Sequence, residues 1–361
     1  MIKVLYDGWT AVYQTNSPPA IHLLTLLEQR HPEAKAVVAL PEAPPEWLPG
    51  EAEAYVLPTE NTPGTRLAWE QRQLPRIAGS LGAQLLHLTT ATPPLFSSLP
   101  VVLSPAEFPV PKPKGIAARL RVALASGGLT RLDGLFWPAE LESSPPQEIS
   151  SALFRLPAEP YPHISSGQTS GAAQLAALNL PETYILYQGP CDEAALQRLL
   201  AAWSWACGPV GEYYPALRLG MDDKARQRLP SLAGEYGCQG TLHPLPVLPP
   251  GAISALVQGC SAVFHPAPLA AWGGAARLAL AYGKPLVAAE TPQAVALAGP
   301  AAYLAPADDS RALGAALLTV IVEEQVAQTL GEAGLLRAAG WDSRSFGEAL
   351  FAAYQAVLSQ R

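Results

Sequence analysis

The chain has 361 residues, enough for two domains of ordinary size. Apolar residues make up 49% and charged residues only 15%, so a large core is available. The formal net charge of -7 argues against a dedicated nucleic-acid binder. No apolar run approaches the roughly 18 residues that span a bilayer, and MIKVLYDGW reads as a first strand rather than a leader. A soluble, cytoplasmic protein is expected.

Short apolar runs at Lys3–Tyr6, Ala36–Leu40, Gln84–Leu88, Pro100–Leu103 and Gly134–Trp137 are apolar on both faces, as parallel strands covered by helices are. Between them helical patterns are predicted over Ala20–Gln29, Arg66–Leu81 and Gly115–Ala125. This alternation is that of a doubly wound α/β domain, taken as residues 1–160. A stretch rich in proline and serine, Glu140 to about Gly171, reads as turns, with its latter part joining two domains. Alternation restarts with runs at Tyr184–Tyr187, Ala216–Leu219, Gly240–Leu242, Ser261–Phe264 and Pro285–Ala288. Helices are predicted at Glu193–Trp205, Asp223–Tyr236, Ile253–Gly259, Gly274–Tyr282, Gln293–Ala298 and from Ser310 towards Ala338. A second α/β domain of residues 161–340 follows, and an amphipathic stretch, Ser345–Leu358, lies within a terminal segment of residues 341–361.

The four cysteines, Cys191, Cys207, Cys238 and Cys260, show no CxxC spacing and read as buried free thiols. The six histidines show no metal-ligand spacing. Asp222 and Asp223 precede a helix and suit an N-cap, as do Asp308 and Asp309. Lys112, Lys114, Arg119, Arg121 and Arg131 form a run without an acid, read as a solvated helix face, a peripheral membrane contact or the contact of an acidic partner. Of Trp203 and Trp205, at least one is expected in a core.

The most telling segment is SAVFHPAPLAAWGGAARLALAYGKPLVAAE, Ser261 to Glu290. An apolar run leads through a loop to a helix opening at Gly273-Gly274, a Gly-Lys-Pro stop and a second apolar run. Helix N-termini offer unpaired N–H groups and a positive dipole end, which suit a phosphate. The segment resembles the signature of GT4-type retaining glycosyltransferases, through Pro266, Gly273, Ala279, Ala281, Gly283, Pro285, Val287 and Ala288. The resemblance implies the GT-B fold, two Rossmann-like domains facing a cleft, with the terminal helix crossing back to the first domain. It implies a nucleotide or nucleotide-sugar ligand and no metal or other cofactor.

Four patches depart from the family pattern. The two family glutamates fall on Ala270 and Leu278, whose side chains offer no hydrogen bond. After the strand ending at Gly189 a basic pair is expected, and Asp192 and Glu193 stand there instead. The glycine-rich loop after the first strand is replaced by Tyr13–Pro19, with two prolines that have no N–H to offer. The His-Asp pair expected near Leu103–Phe108 is replaced by Ser104, Pro105, Ala106 and Glu107.

What remains are candidates rather than a constellation. Gly273 and Gly274 either contact an anion or allow close helix packing. Arg277 either replaces a lost cation or is an exposed helix arginine. Glu290, two residues past a strand, is a candidate donor contact. His87 is a candidate polar residue of the cleft or else a satisfied core histidine, Glu107 is a second candidate there, and Trp272 is expected near the cleft. The expected function is that of a catalytically degenerate relative, acting as a scaffold, as the partner of a homologous glycosyltransferase or as a nucleotide or sugar binder. The alternatives are an active transferase using recruited residues, Arg277, Glu290, His87 or Glu107, and an unrelated GT-B activity.

Overall fold

The computed structural model describes residues 1–106, 115–142, 151–160, 178, 180–190, 192–210, 214–218, 220–221, 223–272 and 274–360. The chain forms two compact units. One comprises Met1–Pro162, Ala270–Gly273 and Asp342–Arg361, the other His163–Leu269 and Gly274–Trp341.

The first unit holds β1 (Ile2–Asp7), β2 (Ala34–Leu40), β3 (Glu53–Val56), β4 (Leu85–Leu88), β5 (Val101–Leu103), β6 (Gly134–Pro138) and β7 (Ala152–Leu156). They form one parallel sheet in the order β3-β2-β1-β4-β5-β6-β7. Val4 of β1 lies opposite Ala36 on one side and Leu85 on the other, and all three are buried. The strands apolar in sequence are the inner ones, covered on both faces. The edge strands β3 and β7 escape sequence reasoning because water reaches them. β7 corrects the expectation of turns throughout Glu140–Gly171.

Around this sheet lie α1 (Trp9–Tyr13), α2 (Pro18–Glu28), α3 (Pro63–Ala68), α4 (Leu74–Ser80) and α5 (Ile116–Leu129). Ser17 caps α2, and Pro18 and Pro19 occupy its first positions, where no N–H is missed. The helix expected over Arg66–Leu81 is broken by a wide turn at Trp69–Gln73, just before Pro75, which lacks the N–H that a regular helix would use. The C-terminal helix, Ser343–Ser359, is capped by Asp342 and buries Phe346, Leu350, Phe351, Tyr354 and Val357 in the core of this unit. Gly347 permits that packing, because a Cβ there would stand 2.4 Å from the Gln29 carbonyl oxygen.

The second unit holds β8 (Ile185–Tyr187), β9 (Ala216–Arg218), β10 (Leu242–Pro244), β11 (Ala262–His265), β12 (Leu286–Glu290) and β13 (Tyr303–Pro306). They form a second parallel sheet in the order β10-β9-β8-β11-β12-β13. Its helices are α6 (Glu193–Trp203), α7 (Cys207–Val210), α8 (Asp223–Glu235), α9 (Pro250–Gly259), α10 (Ala275–Ala281), α11 (Pro292–Leu297), α12 (Ser310–Val322) and α13 (Glu324–Ala338). The continuous helix expected from Ser310 is two helices, bent by 97°. Trp203 is fully buried and donates to Thr241 Oγ1 at 2.8 Å, while Trp205 is exposed. Cys207, Cys238 and Cys260 are free and buried, and burial pushes the Cys238 and Cys260 thiols up to about 12. Cys191 lies outside the described residues. Among the described residues, no single helix is long and apolar enough to cross a membrane.

Candidate functional site

Open parallel sheets bind ligands beyond the carboxyl ends of their strands, where the strand order reverses. In the second unit that point lies between β8 and β11. Past β8, Gly189 is half-buried beside Tyr187, whose phenol donates to the Pro190 carbonyl at 3.0 Å. Asp192 then caps α6, its Oδ1 accepting from the N–H groups of Ala194 and Ala195 at 3.1 and 3.2 Å. The carboxylate thus uses the donors, and neutralises the positive helix end, that would otherwise attract an anion. At the end of β11, His265 Nδ1 lies 2.8 Å from the Ala267 carbonyl oxygen.

Of the glycine pair, Gly273 lies outside the described residues, and Gly274 is the N-cap of α10 without a side-chain cap bond. Every residue of α10 from Ala275 to Leu280 is buried. Leu278, at the second glutamate position, is 2% exposed. Arg277 is also 2% exposed, which corrects the expectation of an exposed helix arginine, and its guanidinium lies 5.2 Å from the centre of the Trp341 ring. Gly283 closes the helix with φ of 61°, a conformation that favours glycine. Glu290 ends β12 and is exposed. Asp222 lies outside the described residues, and Asp309 caps α12 through Ala312 N at 2.9 Å.

In the first unit His87 and Trp272, expected beside the cleft, are interior. Trp272 is fully buried, its ring stacked on that of His22 with centres 5.0 Å apart and 12° between planes. Ala270, at the first glutamate position, is half-buried. Glu107 lies outside the described residues, as do Lys112 and Lys114. Arg121 is committed to the buried Glu70 through three contacts of 2.6 to 3.0 Å. Arg66 Nε and Thr92 Oγ1 also bond that carboxylate.

His87 is a fully buried core histidine rather than a cleft residue. Its Nδ1 lies 2.6 Å from Tyr354 Oη and its Nε2 lies 2.7 Å from Ser104 Oγ. The same serine oxygen lies 2.7 Å from His22 Nε2, and His22 Nδ1 lies 2.6 Å from Glu159 Oε1. Tyr354 Oη also meets Tyr6 Oη at 2.9 Å. Burial, and then the charge of His22, holds His87 well below the usual imidazole range. Burial pushes the Tyr6 phenol up to about 12 and Tyr354 higher still. Sequence reasoning missed His22, Ser104, Glu159, Tyr6 and Tyr354, because chain segments far apart in sequence bring them together. At the end of β1, burial raises the Asp7 carboxyl, although its Oδ1 accepts from Trp9 N and Trp69 Nε1 at 3.0 and 2.8 Å. Among the described residues no cluster of three His, Cys, Asp or Glu side chains is placed to hold a metal ion.

Neither a protein-family model nor a curated protein matches the chain. Solved structures do. Sucrose-phosphate synthase from Thermosynechococcus elongatus is 16% identical, with a TM-score of 0.71 over 100% of both chains. Anabaena HepE in complex with UDP and glucose is 14% identical, with a TM-score of 0.70 over 98% of this chain and 100% of its own. The UDP-forming trehalose-phosphate synthase from Burkholderia vietnamiensis is 13% identical, with a TM-score of 0.64 over 99% and 98%. The fold is GT-B. Identities this low establish architecture alone, so the chemistry has to be argued from the residues. Within this fold the second unit has its strand-order reversal between β8 and β11, and α10 opens at Gly274.

Proposed function

We propose that this GT-B protein is a catalytically degenerate relative of the GT4-type glycosyltransferases, which binds a nucleotide or nucleotide sugar or serves a homologous transferase as its partner subunit in the cytoplasm. The observation that carries this reading is Leu278, a buried isobutyl group at the position of a signature glutamate, together with the methyl group of Ala270 at the other. Transfer from a nucleotide sugar requires that the leaving diphosphate be stabilised and the donor hexose be held in place. Neither side chain supplies a donor or acceptor for the hexose. Asp192 places a negative charge at the helix end that follows β8, where a cation would serve the diphosphate. Arg277 does not replace that cation in this arrangement, because it lies buried against Trp341.

Ligand binding is supported by the neighbours, since HepE has been solved with UDP, with UDP and glucose and with UDP-glucose. Gly189, Gly274 and Glu290 are the residues of the second unit proposed to face such a ligand. The test is a thermal-shift and calorimetric screen against UDP, GDP, ADP and their glucose derivatives, run beside an assay for released nucleoside diphosphate. The expected result is no release from any donor. Binding without release identifies a sensor, and neither binding nor release identifies a scaffold. Catalytic release of UDP from UDP-glucose, abolished by Glu290→Gln, overturns the proposal.

A further inference from the structure

Two of the free cysteines meet in the core of the second unit. Cys207 Sγ lies 3.6 Å from Cys238 Sγ, across 31 residues of chain. Each sulfur also lies near a backbone carbonyl oxygen, that of Ser204 at 3.7 Å from Cys207 and that of Tyr236 at 3.4 Å from Cys238. They share this core with Leu200, Trp203, Val210 and Ala233. The two sulfurs differ in access, since Cys207 is 9% exposed and Cys238 0%. Closing the gap of 3.6 Å to the roughly 2.05 Å of a disulfide needs a movement of under about 2 Å. The chain beside each cysteine can supply it. Gly208 follows Cys207, and Gly237, with φ of 67°, precedes Cys238. A Cβ added to either glycine would meet nothing within 4 Å, so each cysteine adjoins a backbone joint with space around it. Cys207 opens α7, ahead of β9, and Cys238 lies between α8 and β10. A bond between them closes a loop that holds all of β9 and α8.

We propose that Cys207 and Cys238 form a redox clasp, in which hydrogen peroxide or an organic hydroperoxide converts the two thiols into a disulfide that ties the start of this loop to its end. The step has two stages. The Cys207 sulfur, the more accessible one, attacks the peroxide. An S–O bond forms, the O–O bond breaks, and the thiol proton leaves with the departing oxygen as water or alcohol. The Cys238 sulfur then attacks the Cys207 sulfur. The S–S bond forms, the S–O bond breaks, and the Cys238 proton leaves with the hydroxyl as water. Each sulfur gives up one electron and the peroxide takes both. Burial keeps the Cys238 thiol protonated at neutral pH, so the clasp closes under sustained oxidant rather than a brief pulse. In a reducing compartment the pair rests as thiols, and a dithiol reverses the bond by exchange. The proposal does not depend on the reading of the donor site.

The full chain is treated with hydrogen peroxide at pH 7.5, its remaining thiols are blocked, and it is digested without reductant. Mass spectrometry should find the peptides of Cys207 and Cys238 joined, lighter by two hydrogens than the reduced pair, and separated again by dithiothreitol. The bridged protein should keep its far-UV circular dichroism and melt at least about 4 °C above the same sample after dithiothreitol, because the bond restricts the unfolded chain. Cys238→Ala should trap the first stage, so that dimedone labels Cys207, whereas Cys207→Ala should leave Cys238 unlabelled. Two free thiols at 207 and 238 after the peroxide is consumed overturn the proposal. So do a bridge that forms only in urea, pairing of either cysteine with Cys191 or Cys260, and a bridged protein that melts no higher than the reduced one.

Discussion

The two sheets reverse their strand order at equivalent places, between β1 and β4 and between β8 and β11, yet the two reversals are built from different chemistry. Around the first lie Asp7, His87, Ser104, Glu70 and their partners, polar groups buried and bonded to one another. Around the second the interior is Val263, Phe264, Val287, Ala288 and Leu278, with His265 and Arg277 as buried polar residues, while Asp192 caps a helix and Glu290 meets solvent. A parallel sheet needs only apolar strands and covering helices, so it survives the loss of acids from its rim. Polar groups in the first unit are tied into its packing, and removing one leaves another buried without a partner.

The contrast can be broken most forcefully at Glu70. Glu70→Ala strands Arg121 and Arg66 without their carboxylate, and a loss of about 3–5 kcal/mol is expected in urea denaturation. A loss below about 1 kcal/mol would mean that water already serves these cations. In the second unit, Leu278→Glu puts a carboxylate into an apolar site with no partner provided, and should cost on the order of 3 kcal/mol at pH 7. That cost should fall as the pH drops toward 4 and the new side chain becomes neutral. If Leu278→Glu is tolerated at neutral pH, the site is wet and the comparison fails.

Smaller effects sharpen the comparison. Asp192→Ala removes a helix cap and should cost about 1 kcal/mol, while any affinity for UDP should rise with the loss of the negative charge. An unchanged or weaker affinity would place the diphosphate elsewhere. Asp7→Asn should change stability by less than about 1 kcal/mol, because both bonds fall on one oxygen that asparagine retains. Its sign depends on pH. Burial raises the folded carboxyl above its ordinary value, so the wild-type contribution is full below that value and lost as the pH rises through the folded one. Asp7→Asn should therefore compare better with wild type at pH 7 than at pH 3, by thermal melts at both. For His87 the direction is the reverse. Its neutral form is the one folded, so stability is full above about 6.5 and declines as the pH falls from there toward the lowered folded value.

The inner strands were legible because burial on both faces writes a continuous apolar run, as in Ala36–Leu40 and Pro285–Ala288. β3, β7 and β13 were not, since Glu53, Arg155 and Tyr303 show the mixed character of sheet edges. The departure from the family pattern expected at Ala270 and Leu278 needs only spacing, and the structure adds that Leu278 is buried and Ala270 half-buried. The burial of His87, Trp272 and Arg277 was not legible, since it depends on what other segments bring. His22 meets Glu159 across 137 residues, and Tyr6 meets Tyr354 across 348. The alternation that predicts a strand carries no record of such partners.

Phosphorus NMR of UDP-glucose held for a day with a stoichiometric amount of the protein tests the proposed lack of transfer chemistry without any assumption about the acceptor, since water is always present as one. The diphosphate signals of the intact donor should persist unchanged apart from any broadening by binding. Conversion to UDP at a rate above that of a protein-free control, and proportional to protein concentration, would contradict a donor site that has lost its acids.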